Sequence, residues 1–173
     1  MHPVILSILA DDRPGIVETL SDCVAAHHGN WLESRMANLA GKFAGIVRLE
    51  VDDAHRAALI TGLEALVEQG IRVTIDEAAS TESNQAEWVS LLVTGSDRPG
   101  IVREITALLA RQWVNVQDLS THCELAPMSG DRLFQARLQV VLPERLSIDQ
   151  LAQSLERISD DLLVDLDEPG PAS

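Results

Sequence analysis

Six residues, Asp12-Arg13-Pro14-Gly15-Ile16-Val17, return unchanged as Asp97-Arg98-Pro99-Gly100-Ile101-Val102, 85 positions later in a chain of 173. A repeat at half the chain length divides the sequence into two units built alike, each large enough to bury a core of its own. Each copy follows a short apolar run, Val4 to Ala10 and Trp88 to Thr94, and each opens a segment with helical periodicity. The motif therefore predicts a strand-to-helix turn used twice. Such a turn delivers backbone N–H groups at a helix N-terminus, where a small anion is favoured.

Between the repeats the periodicities are readable. The nearly continuous apolar run from Val4 to Ala10 predicts a central strand buried on both faces. Ile16, Val17, Leu20 and Val24 recur at helical spacing, and Gly29 is the expected stop. Strands follow over residues 30–40 and 43–51, the latter with Val47, Leu49 and Val51 alternating against Arg48 and Glu50. Asp52 and Asp53 offer an N-cap for a second helix carrying Leu59, Ile60, Leu63, Leu66 and Val67, and Gly70 ends it. Ile71, Val73 and Ile75 then alternate in a closing strand. The order is β-α-β-β-α-β, a ferredoxin-like plan of the α+β class, with an antiparallel sheet and helices on one face.

The second half repeats this plan. Phe134, Ala136, Leu138 and Val140 alternate against Gln135, Arg137 and Gln139, after a hairpin loop around Pro127-Met128-Ser129-Gly130. Aligning Arg48 with Arg137 gives an offset of 89, so this hairpin is the longer of the two. Ser147-Ile148-Asp149-Gln150 is a capping-box pattern opening the last helix, with Ile148, Leu151, Leu155 and Ile158 on one face. Leu162, Val164 and Leu166 close the sheet. The expected boundaries are a first unit over residues 1–78, a polar linker over 79–87, a second unit over 88–168 and a Pro/Gly tail over 169–173.

Composition narrows the function. Hydrophobic residues at 46% and charged residues at 23% are those of an ordinary globular protein. No apolar run approaches the roughly 20 residues of a membrane helix, and Met1-His2-Pro3-Val4 does not begin a secretory signal, so a cytoplasmic location away from membranes is expected. With 13 basic and 27 acidic residues the formal charge is −14, which repels nucleic-acid backbones; no direct nucleic-acid binding is expected. Cys23 and Cys123 lack any metal or redox spacing and read as buried small hydrophobes of a reducing compartment. No histidine recurs between the halves, and in His122-Cys123-Glu124 adjacent strand residues point to opposite faces, so no catalytic group, metal or cofactor is expected.

The polar positions that do recur are Asp12 with Asp97, Arg13 with Arg98, and Asn30 with Asn115. The aspartates read as turn or cap partners, and Pro14 and Pro99 suit a first helical turn. Gly15 and Gly100 sacrifice helix propensity, which is explained by close approach of either a ligand or a neighbouring strand. Asn30 and Asn115 begin the second strand of each unit, where an amide could flank one pocket with the end of the first strand, either within a unit or across a domain interface, and serve both ends of a zwitterionic amino acid.

A strand, D-R-P-G-I-V, a helix, and an asparagine starting the next strand, inside a β-α-β-β-α-β unit, resemble the ACT domain. Two such units with Asn30-Trp31-Leu32-Glu33-Ser34-Arg35-Met36-Ala37 after the first helix resemble the glycine cleavage system transcriptional repressor family. The resemblance implies a non-enzymatic, amino-acid-responsive transcriptional regulator. Its implied partners are a small amino acid, glycine first, and a DNA-binding activator reached by protein contact, with a homo-oligomeric assembly. It places ligand contacts on Asp12, Arg13, Pro14, Gly15 and Asn30, and on Asp97, Arg98, Pro99, Gly100 and Asn115. Trp31 stands where ACT domains often carry a modest aliphatic residue, so its bulk is expected at the first pocket, which favours the second. Two alternatives remain: a small enzyme of acyl phosphatase type using Arg and Asn on a phosphate, and an interaction module without ligand.

Overall fold

The computed structural model describes residues 2–77, 88–126 and 130–167. The expected linker over 79–87, the tail over 169–173 and the loop residues Pro127, Met128 and Ser129 lie outside them. The chain divides into two compact units, residues 1–84 and 85–173.

The first unit runs β1 (His2–Asp11), α1 (Ile16–Ala26), β2 (Asn30–Leu39), β3 (Lys42–Val51), α2 (Asp53–Ala65), a 3-10 turn (Leu66–Gln69) and β4 (Ile71–Glu77). Its sheet has the order β2-β3-β1-β4 with antiparallel neighbours throughout. The second unit repeats this with β5 (Trp88–Ser96), α3 (Ile101–Arg111), β6 (Asn115–Leu125), β7 (Arg132–Val141), α4 (Ile148–Glu156) and β8 (Leu163–Asp167), in the order β6-β7-β5-β8. Both units are thus ferredoxin-like with an ACT-type arrangement.

Side-chain alternation explains each core. Val4, Leu6, Ile8 and Ala10 point to one side of β1 and pack with Val47, Leu49 and Val51 against Ile16, Leu20, Val24, Leu59 and Leu63. In the second unit Leu91, Val93 and the β7 set Phe134, Ala136, Leu138 and Val140 meet Ile105, Leu109, Leu151 and Leu155. Each fully buried leucine contributes about 1.5–3 kcal/mol. The expectation that β1 is buried on both faces does not hold: Ser7 and Leu9 are exposed and Ile5 half-buried. Both helices lie on one side, so the continuous apolar run reflects only the strand's central place in the sheet.

Local chemistry sets the boundaries. Leu39 and Lys42 pair across a two-residue turn in which Ala40 and Gly41 have φ of 49° and 77°, a geometry that matches strand twist. Ser147 caps α4 as expected: its hydroxyl accepts from the Gln150 backbone at 3.2 Å, and Gln150 returns a bond to the Ser147 N–H at 3.0 Å. Val67 is 57% exposed, because the chain tightens into the 3-10 turn after Ala65 and rotates that position off the buried face. At the end of α1 the left-handed residue is His28, with φ 57°, not the expected Gly29. Gly29 is small for another reason: a Cβ there would lie 2.8 Å from Val24 Cγ1. Trp113 takes the same left-handed position in the second unit, with φ 60°.

Candidate functional site

Each repeated motif forms the turn that joins a central strand to the first helix of its unit. Gly15 and Gly100 are the N-cap residues of α1 and α3, with φ of 90° and ψ of 0° and −3°. A proline followed by such a residue suits a type II turn, and Ile101 N–H returns to Arg98 C=O at 3.3 Å. Pro14 and Pro99 therefore precede the helix, in the turn itself, instead of occupying the first helical turn. Close approach of a neighbouring strand does not explain the glycines. A Cβ on Gly15 would come no nearer than 3.9 Å to another group, and one on Gly100 would meet nothing within 4 Å. What selects glycine is the left-handed backbone, which an L side chain adopts at a cost of about 1–2 kcal/mol.

The turns are anchored from outside. Asp12 N–H donates to Gly41 C=O and Asp97 N–H to Arg132 C=O, both at 2.9 Å, tying each turn to the hairpin of its own sheet. Asp97 also pairs with Arg132, Oδ2 to Nε at 3.2 Å, in keeping with a local turn partner. The two arginines differ. Arg13 donates to the Gln69 carbonyl at 2.9 Å, whereas Arg98 grips both oxygens of Glu104 at 2.7 and 2.6 Å. The bidentate bond holds the Glu104 carboxyl below its ordinary range and raises the Arg98 guanidinium. After each glycine come first-turn amides, Val17 and Glu18 or Val102 and Arg103, which have no intrahelical acceptor and point toward the open end of the helix.

The asparagines are elsewhere. Asn30 pairs in register with Glu50, and Glu50 with Pro3, so Asn30 is level with the start of β1 while the turn follows its end at Asp11. The strand from Pro3 to Asp11 is about 26 Å long at roughly 3.3 Å per residue. Asn115 is likewise level with Val141 and Trp88, at the far end of β5 from Ser96 and the second turn. The expected grouping of turn and asparagine around one pocket therefore fails inside either unit. β1 and β2 are parallel to each other, because each is antiparallel to β3, and α1 carries the chain back to the sheet's starting edge. Asn30 donates instead to Glu50 Oε1 at 2.9 Å. Trp31 shares this distant end, half-buried against the first core, so it does not close the first turn.

The catalytic alternatives find little. An acyl phosphatase needs an arginine and an asparagine on one phosphate, and these lie at opposite ends of each unit. Cys23 is half-buried and its thiol is pushed up by desolvation, away from thiolate character, whereas Cys123, on the edge strand β6, is exposed, so the burial expected of both does not hold. Among the described residues no group of three His, Cys, Asp or Glu side chains is placed to hold a metal ion. No helix among them is long and apolar enough to cross a membrane. Two features escaped the sequence reading. Arg98 and Glu104 are six positions apart, outside helical i,i+4 spacing, and meet only because the turn reverses the chain. The other is a difference between the copies: where α1 carries Glu18, α3 carries Arg103.

Comparison with known proteins agrees with this geometry. Residues 2–76 match the ACT domain model. Over 98% of its length the chain is 25% identical to the glycine cleavage system transcriptional repressor of Escherichia coli (strain K12), of which it covers 88%, and the same values hold for the Shigella flexneri protein of that name. A crystal structure of an unknown protein from Galdieria sulphuraria is 28% identical, superposes with a TM-score of 0.78, and is matched over 98% of this chain and 99% of that one. A second crystal structure, provisionally named a glycine cleavage system transcriptional repressor, is 18% identical with a TM-score of 0.73 and 96% coverage of both chains, and shares the fold. The first unit thus matches the ACT domain model, the second repeats its fold, and the chain as a whole is similar to the glycine cleavage repressors along nearly its whole length.

Proposed function

We propose that this tandem ACT-type protein is an amino-acid-responsive regulator of glycine cleavage, acting without catalysis through contact with a protein partner such as a DNA-binding activator. The observation that carries the reading is the Asp-Arg-Pro-Gly turn, repeated with the same glycine backbone conformation at the helix entrance of both units in a chain that parallels a named repressor over 98% of its length. At each turn the backbone amides of Val17 and Glu18, or Val102 and Arg103, suit the carboxylate of an amino acid. The ammonium needs an acceptor that the turn does not supply. An asparagine such as Asn115, at the opposite end of a sheet, can reach a turn only from another ACT-type surface, which an assembly of copies would provide. The acidic surface, with a formal charge of −14, favours a protein partner over nucleic acid as the direct target.

Calorimetric titration of the whole chain with glycine, serine and alanine tests the ligand. Saturable heat with glycine, lost in Asn115→Ala while far-UV circular dichroism is unchanged, is the expected result. No heat with any amino acid refutes it. One observation favours a second reading, an interaction module without ligand: the left-handed backbone is by itself a sufficient reason for both glycines, so a ligand is not required to account for them. In that case partner capture is indifferent to added glycine.

A further inference from the structure

Between α3 and α4 of the second unit lies a groove of about 630 Å³, bordered by Arg103, Arg111 and Arg157 and lined by apolar Leu108 and Ile158. Three of only 13 basic residues thus face one cavity in a chain with 27 acidic ones. None of the three makes an ion pair or side-chain hydrogen bond with a described residue. Glu104, also in the lining, feels the charge of Arg103, but both of its oxygens are already held by Arg98. The groove is left with a cationic excess.

Helix electrostatics account for part of this. Arg111 ends α3 and Arg157 follows α4, where the macrodipole favours a cation. Arg103 does not fit: it stands in the first turn of α3, where a cation is disfavoured. The first unit follows the rule with Glu18 at the equivalent place, so the fold does not require an arginine there.

We propose that this groove binds a small organic anion carrying two or more phosphate or carboxylate groups. Its volume lies within the roughly 300–1,000 Å³ typical of small-ligand sites. Guanidinium groups present planar donor pairs that match either oxyanion bidentately, and the apolar lining takes the body of the molecule. The inference goes beyond the amino-acid reading, since a glycine zwitterion offers one carboxylate and no counterpart for three cations. Pro99 and Gly100 border the same groove, so the anion would lie beside the turn assigned to the amino acid.

Titration calorimetry of the full chain at about 150 mM salt, with pyrophosphate, ATP and citrate as probes, tests the proposal. Saturable binding of one molecule per chain by at least one probe is expected. Pyrophosphate and ATP without citrate assign phosphate chemistry, citrate alone assigns carboxylate chemistry, and either supports the site. Affinity should fall at least tenfold in Arg103→Glu, which copies the residue with which the first unit folds, and in Arg157→Gln. Arg72→Gln, in the first unit, should bind as the native chain does. Absence of saturable binding up to about 10 mM of every probe overturns the proposal, as does equal weakening by Arg72→Gln. Glycine titrated into Arg157→Gln, a residue outside the turn, separates the two readings: glycine heat kept while the anion is lost supports a separate anion site, and anion binding kept in a chain that binds no glycine refutes only the amino-acid reading.

Discussion

Gly100→Ala isolates what the repeated turn demands of its glycine. The added Cβ meets nothing within 4 Å, so no contact is strained and the whole effect comes from the backbone at φ 90°. Holding an L residue in the left-handed region costs about 1–2 kcal/mol, and the loss of unfolded-state freedom returns about 0.4–1 kcal/mol. The net destabilisation is about 1 kcal/mol, or roughly a fivefold rise in the open population of the second unit. Amide hydrogen exchange read on β5 and β7 measures that unit separately, and protection there should fall by about that factor while β1 and β3 of the first unit are unaffected. Gly100→Asn should recover most of the loss, because asparagine tolerates left-handed φ far better than alanine. Unchanged protection in the alanine variant, or an asparagine variant as damaged as the alanine one, would refute the reasoning. The asparagine variant also serves the functional question: it restores the backbone and adds bulk at the turn, so lost glycine binding on an intact fold would mean that a ligand approaches Gly100 after all.

Other expectations follow from specific contacts. Gly45→Ala should destabilise the first unit by about 1–3 kcal/mol, since its Cβ would lie 2.5 Å from Met36 Cγ and 2.7 Å from the Arg35 carbonyl, which as backbone cannot yield; urea unfolding would show a lower midpoint. Ser147→Ala removes the capping box of α4 and should lower stability by about 1 kcal/mol, a loss of several degrees in melting temperature. The Glu104 carboxyl is held below its ordinary value of 4.5 by Arg98, and Asp161 below 3.8 by the Ser159 hydroxyl and the Ser96 backbone. Folded values below unfolded ones mean that this stabilisation is complete above the unfolded values and is lost as pH falls through the folded ones. Acid titration below about pH 4.5 should loosen the second unit, and Glu104→Gln should flatten that part of the profile.

Much of the fold was legible because side-chain period reports burial. The alternation of Phe134, Ala136, Leu138 and Val140 fixes β7 and its inward face, and the Ser147–Gln150 pattern fixes the start of α4 to the residue. Burial on both faces of β1 was misread because a central strand collects apolar residues even where one face is uncovered. The site was less legible because it depends on register. Asn30 and Gly15 are close in sequence, yet the parallel return through α1 sets them at opposite ends of the sheet, a separation no local pattern states. The bulges between Trp31 and Glu33 and between Val116 and Asp118 also left no sequence signal, although they occur at matching places in the two units.

The strand order has a consequence for synthesis. In each unit the first strand made is a central one, and it pairs with the last, β1 with β4 and β5 with β8. A ribosome adding about 5–20 residues per second needs several seconds to go from Asp11 to Glu77. Throughout that interval one edge of the apolar segment from Val4 to Ala10 has no partner strand. The nascent chain thus displays, before either face of the sheet is complete, a hydrophobic edge of the kind that chaperones bind and that misassembly exploits.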